Sequence, residues 1–237
     1  MTTTTVQPTR VHAPTARIFR PLESGDRLTR AEFERRYAAM PHIKKAELIE
    51  GVVHMPSPVR HTTHGQPHFY LITWLGAYCA ATPGVDASDN ATLRLDWRNE
   101  VQPDVLLRLA VEAGGHSRIS EDGYVEGAPE LVVEVASSSV AIDLHAKKEI
   151  YSRSGVQEYL VWRTLDEQLD WFELREGEYV PLEPDDPGIL RSRVFPGLWL
   201  AVTPLLAGDL ALVLAELHKG LAADEHATFV QRSMVQP

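Results

Sequence analysis

Leu131–Arg163 reads LVVEVASSSVAIDLHAKKEIYSRSGVQEYLVWR, and this stretch decides the fold. Residues 130–136 form a short apolar run of strand length. Residues 141–154 carry helical spacing, and Gly155 stops them. Residues 158–163 are a second apolar strand. Two strands joined through a helix make a β-α-β crossover, so they lie parallel in one sheet. Alternation puts Leu131, Val133 and Val135 on one face of the first strand, with Val132, Glu134 and Ala136 on the other. Both faces are otherwise apolar, as in a sheet covered by helices on both sides. The class is α/β, a mixed sheet flanked by helices.

Glu134 is the anomaly in that strand, because a carboxylate is rarely buried unless paired or bound to metal. On the helix, at roughly 100° per residue, Lys147 falls near the middle of the arc holding Leu144, Ile150 and Tyr151. Lys148 falls about 100° away, towards solvent. An ammonium on the packing face needs an anionic partner. Pro103-Asp104 opens another apolar strand, Pro-Asp-Val-Leu-Leu. Asp104, Glu134 and Lys147 are therefore the candidate catalytic set: two acids suited to a divalent cation, and one lysine suited to phosphodiester hydrolysis.

Working outward, Thr29-Arg-Ala-Glu32 is a capping box opening a helix to about Met40. Glu47 to Met55 reads as a hairpin turning near Gly51. Pro67 suits a first helical position, and Phe69 to Ala81 is a largely apolar helix. Thr92 to Asp96 and Pro103 to Leu107 read as strands joined by the turn Trp97-Arg-Asn-Glu. Residues 112–129 are expected as a polar loop facing substrate. Leu169 to Leu174 and Glu178 to Leu182 continue the sheet antiparallel, Phe195 to Leu200 is a closing strand, and Leu205 to Leu221 is an amphipathic helix. The expected division is a loose tail at 1–20, one domain over 21–204, and a C-terminal helix and tail over 205–237.

The chain has 237 residues, 44% of them hydrophobic, which suits one globular domain with extensions. Its formal net charge of −10 argues against a non-specific nucleic-acid coat protein. The charge is uneven. Residues 165–187 hold nine acids against Arg175, whereas residues 1–20 hold three arginines and no acid. Cys79 is the single cysteine, so an intramolecular disulfide is excluded and a reducing compartment is expected. The start lacks a signal peptide's apolar core, and no run approaches membrane-spanning length. A cytoplasmic protein with no membrane partner is expected, and a homodimer is one expected assembly.

Several ordered marks carry a resemblance: Glu47-Leu-Ile-Glu-Gly, Ser57-Pro58 with a histidine after it, and Val101-Gln-Pro-Asp104. Gly127-Ala-Pro-Glu-Leu-Val-Val-Glu-Val135, Asp143-Leu-x-x-Lys147 and Gly155-Val-Gln-Glu-Tyr159 complete them. Over about residues 25–205 the chain resembles the Uma-two (Uma2) family of restriction endonucleases, within the PD-(D/E)XK nuclease superfamily. The resemblance implies a restriction-endonuclease-like αβββαβ core, a DNA substrate, and Mg²⁺ as cofactor, with Mn²⁺ an alternative. Asp104 and Glu134 match the metal-binding acids, Lys147 the catalytic lysine, Glu47 a further metal-side glutamate, and His64 the histidine after Ser-Pro. One departure stands out: two residues after Glu134, where the superfamily has lysine, this chain has Ala136.

Rival readings are weaker. His61, His64 and His68 suggest zinc, but Pro67 is expected to interrupt the helix that would align them, and no His-Glu-x-x-His is present. Ser137-Ser-Ser139 lacks a nucleophile elbow and suits a strand-to-helix turn. There is no phosphate loop. Trp162, Trp171 and Trp199 suit the core or a sheet edge. The remaining alternative to an enzyme is a nuclease fold serving as a silent binding or assembly module.

Overall fold

The computed structural model describes residues 20–185 and 188–235. The expected loose tail lies, apart from Arg20, outside the described residues. In chain order, helix α1 (Arg30–Ala38) is followed by the hairpin β1 (Glu47–Ile49) and β2 (Val52–His54). A π-helical turn (His61–Gly65) leads into α2 (Gln66–Ala81). Next come β3 (Val85–Asp89), β4 (Leu93–Arg94), β5 (Glu100–Val101), β6 (Val105–Leu109), β7 (Ser117–Ile119), β8 (Val125–Gly127) and β9 (Leu131–Ala136). A π-helical segment (Ile142–Lys147) runs into α3 (Lys148–Ser154), then β10 (Glu158–Arg163), β11 (Gln168–Arg175) and β12 (Glu178–Pro181). The chain closes with β13 (Ile189–Arg191), β14 (Trp199–Ala201), α4 (Val202–Leu206), α5 (Leu210–Leu221) and α6 (Asp224–Val235).

The main sheet has the order β12-β11-β10-β9-β6-β3. Only β9 and β10 pair parallel in it, as the crossover demands. The succession α2-β3-β6-β9-α3-β10 is the expected αβββαβ core, with β11 and β12 as its antiparallel extension. A second sheet, β2-β1-β5-β4-β8-β7, is built from the hairpin before the core and from segments inserted between its strands. Leu131, Val133 and Val135 join Leu71, Trp74 and Tyr78 of α2 and Val213 and Leu217 of α5 in one core cluster. Val132 and Ala136 belong to another, with Ile150 and Tyr151 of α3 and Leu93, Val101 and Val125 of the second sheet. Each fully buried valine, leucine or isoleucine among them contributes about 1.5–3 kcal/mol. Glu134 shares the face of Val132 and Ala136, between the main sheet, its crossover helix and the second sheet.

Local signals placed most of these elements. Thr29 caps α1 by accepting from the Glu32 amide. Gly155 ends α3 with φ +89°, a conformation without steric penalty only for glycine. Gly51 (φ +76°) follows Glu50 (φ +51°) in the β1–β2 turn, where a two-residue hairpin requires positive φ twice.

Other expectations are corrected. The turn after β4 leads into β5, and the chain then leaves the second sheet through Gln102-Pro103 to begin β6 in the main sheet. Strand β3 was not anticipated: it is an edge strand, VDASD, exposed along most of its length, so its sequence carries no apolar pattern. Residues 112–129 are not a plain loop but mostly the β7–β8 hairpin, short and too polar for strand periodicity to show. Phe195-Pro-Gly-Leu198 is a tight turn, with the Leu198 amide on the Phe195 carbonyl at 3.0 Å, and the closing strand is confined to β14. The single helix expected from Leu205 to Leu221 is split. Asp209 caps a new start for α5 by accepting from the Leu212 amide, and the segment beyond Leu221 forms α6. No helix among the described residues is long and apolar enough to cross a membrane.

Candidate active site

Asp104 sits where the chain crosses between sheets, immediately before β6. The β6–β9 ladder ends at Val105 opposite Val133. Just beyond it, the Val135 amide donates to Asp104 Oδ2 at 2.8 Å instead of to a main-chain carbonyl. The carboxylate thus serves as the acceptor for a strand amide just past the last paired residues of the ladder. Glu47, at the start of β1, accepts from the Gln102 amide at 2.8 Å, which ties the second sheet to the same crossing.

From the other side, Asp143, Lys147 and Tyr151 follow one another at four-residue spacing and face the sheet together. Lys147 Nζ stands 2.9 Å from Glu134 Oε1, 3.0 Å from Glu47 Oε1 and 3.7 Å from Asp143 Oδ1. The Tyr151 hydroxyl donates to Glu134 Oε1 at 3.0 Å, and that of Tyr159 to the Asp143 carbonyl at 3.1 Å. A π-helical segment carries Asp143 and Lys147 into this position; such wide turns recur at functional sites. Lys148 lies partly buried with its ammonium 3.6 Å from the centre of the Phe172 ring, rather than free in solvent.

Asp104 does not touch Lys147. Its charge is met by His64 Nε2, 3.2 Å from Oδ2, and by Lys45 Nζ, 3.5 Å from Oδ1. His68 Nε2 lies 2.9 Å from the Asp104 carbonyl and 3.0 Å from Asp89 Oδ1. Pro67 does not break the path between these histidines. It falls at the second residue of α2, where a missing amide costs nothing, and the π-helical turn before it leaves the His64 and His68 rings 5.5 Å apart. The sequence thus placed five side chains that the structure gathers: Asp104, Glu134, Lys147, Glu47 and His64. Lys45, Asp143, Tyr151 and His68 also belong to the constellation. Asp143 and Tyr151 were legible in principle from their four-residue spacing about Lys147, and His68 from the same spacing after His64, whereas nothing local marks Lys45.

The electrostatics follow from burial and crowding. Burial pushes the Glu134 carboxyl up, and Asp143, Asp104 and Glu47 add to that against the pull of Lys147, leaving it at about 8. Asp143 is raised as well, chiefly by burial. Burial would lower Lys147, but Glu134, Glu47 and Asp143 outweigh it and hold the ammonium charged. Burial would also raise Asp104; the His64 hydrogen bond, the Lys45 charge and the Val135 amide outweigh it and keep that carboxylate well below its usual range. One buried ammonium faces three carboxyl groups, so ionising all three would leave excess negative charge, which is what holds Glu134 and Asp143 up. Buried Asp143 Oδ1 has no hydrogen-bond partner among the described residues. Oxygen donors with uncompensated charge fit a hard divalent cation in chemistry. Among the described residues, however, no three His, Cys, Asp or Glu side chains are grouped as a ligand set, since the Lys147 ammonium stands between Glu47 and Glu134.

Residues 30–203 match the model of the Uma2 family, described as "Putative restriction endonuclease". The chain belongs to the Uma2 family. Among solved structures, this Uma2 chain is similar to a protein described as a putative nuclease belonging to DUF820 from Anabaena variabilis. The TM-score is 0.53 at 14% identity, over 73% of this chain and 97% of that one. At that identity the likeness speaks for the fold, which is the restriction-endonuclease-like α/β fold expected from the sequence. No curated protein matches the Uma2 chain described here.

Proposed function

We propose that this protein is a divalent-cation-dependent endonuclease that hydrolyses phosphodiester bonds in DNA, with Mg²⁺ as its cation and Mn²⁺ as a substitute. The observation that carries this reading is the buried row Asp104, Glu134 and Glu47 with Lys147 bound across two of its members. A purely structural strand has no need of that arrangement.

In this reading Asp104, Glu134 and Glu47 would supply the cation's oxygen ligands once the Lys147 ammonium shifts from between the two glutamates. When bound, the cation lowers the pKa of an attacking water and neutralises charge developing on the phosphate. The chain's own groups do the rest. Lys147 keeps Glu47 and Glu134 together against their mutual repulsion and orients the nucleophile beside them. Tyr151 and Lys147 both engage Glu134 Oε1, which leaves Oε2 as the oxygen for a ligand. His64 and the Val135 amide hold Asp104 ionised and in one orientation. The single cysteine and the DNA substrate together suit a cytoplasmic protein.

Purified protein incubated with supercoiled plasmid, single-stranded DNA and RNA tests this directly. Cleavage of DNA is expected with Mg²⁺ or Mn²⁺ and not with EDTA. No cleavage of any substrate, together with no metal-induced rise in melting temperature, would favour the silent binding module. Faster cleavage of RNA than of DNA would reassign the substrate.

A further inference from the structure

Two lysines stand at opposite ends of the acid row, and their surroundings differ. The Lys147 side chain is 5% exposed and is enclosed by Glu47, Glu134 and Asp143. Its charge is consumed, and a phosphate cannot reach it without displacing those acids. Lys45 precedes Glu47 by two residues, and its side chain is 26% exposed. Its Nζ donates to Asn90 Oδ1 at 3.1 Å and lies 3.5 Å from Asp104 Oδ1, longer than a tight charge-assisted bond. Among the residues touching the Asp104 carboxylate it is the most exposed, since the His64 side chain is 16% exposed.

We propose that Lys45 is the side chain that contacts the substrate's phosphodiester backbone, while Lys147 stays beneath it with the acids and the nucleophile. The inference rests on the nuclease reading and names the group through which that site meets its substrate. A lysine is a mobile point charge on a flexible stem, so Lys45 can turn from Asp104 to a phosphate oxygen. Doing so frees Asp104 Oδ1, which links substrate arrival to the availability of that carboxylate.

The test uses the full chain, a fluorescent DNA duplex, and the variants Lys45→Ala, Lys45→Gln and Lys45→Arg. Lys219→Ala, a surface lysine paired with Glu216 on α5, is the control for losing one positive charge. Binding is measured in EDTA across a salt series, and cleavage in Mg²⁺. Lys45→Ala and Lys45→Gln should raise KM about tenfold, the loss of one charge-assisted hydrogen bond, with a smaller change in kcat. They should also flatten the plot of log K against log salt by about 0.9, one phosphate contact. Lys45→Arg should restore both, and Lys219→Ala should change neither. If the wild type cleaves and Lys45→Ala and Lys45→Gln match it in KM and salt slope, the inference fails while the nuclease reading stands. If the wild type binds with a Lys45-dependent slope but does not cleave, the contact stands and the catalytic reading fails. If the wild type neither binds nor cleaves DNA, both fall.

Discussion

Glu134 and Glu158 stand on adjacent parallel strands and are equally inaccessible, yet they are held in opposite ways. The Glu158 carboxylate accepts from the Ser192 hydroxyl at 2.8 Å and from the Arg193 amide at 2.6 Å, with Val194 at 3.3 Å. Fixed main-chain donors make it a latch that pins the β13–β14 connection to the sheet. Glu130, at the strand's entry, is a latch of the same kind, taking the Leu109 amide at 2.6 Å and the His116 amide at 3.0 Å. Glu134 has no main-chain donor among the described residues. It takes an ammonium and a phenol from the crossover helix and faces other carboxylates. A buried acid clasped by backbone is committed to the fold. One held by side chains, among like charges, can exchange partners, and that freedom is what a reaction site requires.

The sharpest way to break this contrast is to substitute both acids. Glu134→Gln removes a ligand charge and should lower the cleavage rate by at least about 10²-fold while metal binding is lost. Glu158→Gln should leave kcat within about threefold of wild type. Steady-state cleavage and calorimetric Mg²⁺ titration of the two variants decide it; equal losses of activity would erase the distinction.

Next in size is Lys147. Lys147→Ala leaves buried carboxylates without their counter-charge, a loss of about 3–5 kcal/mol measured by urea unfolding. Cleavage should disappear while Mg²⁺ affinity stays intact or improves, so added Mg²⁺ should recover part of the stability. Lys148→Ala forfeits the contact with Phe172, about 0.5–1 kcal/mol, and the attraction of Asp170, and should leave cleavage unchanged. The reverse ranking of the two lysines would show that the wrong face of the helix meets the acids.

A further effect is a pH dependence belonging to the latch. Burial raises the Glu158 carboxyl to about 7 against the pull of its donors. A carboxyl raised on folding adds stability that is fully present below about pH 4.5 and is lost as the pH climbs through about 7. Wild type should therefore lose up to about 3 kcal/mol across that window relative to Glu158→Gln. Parallel stability profiles for the two proteins between pH 4.5 and 8 would mean that the main-chain donors outweigh burial.

The sequence by itself determined the parts whose signal is local. Alternation in Leu131–Ala136, the helical arc about Lys147, the Thr29 cap and the Gly155 stop set the crossover and the two sides of β9, because periodicity and capping act within a few residues. Side chains aimed into an apolar layer follow from the same periodicity, which is why Glu134 and Lys147 could be paired before any contact was seen. Ordered motifs added Asp104, Glu47 and His64. Only the tertiary structure decided what depends on separate segments meeting. The edge strand β3 and the β7–β8 hairpin are too short and polar to announce themselves and exist because a neighbouring strand pairs with them. Glu130, just before β9, and Glu158, at the start of β10, accompany apolar strands as Glu134 does and look alike in sequence, since the donors that make them latches come from residues 14 to 36 positions away. Lys45 reaches Asp104 across 59 residues, from the segment leading into the second sheet to the one leading into the main sheet. Charge complementarity between distant segments leaves no periodic trace along the chain; it is fixed when the two sheets close over the acids.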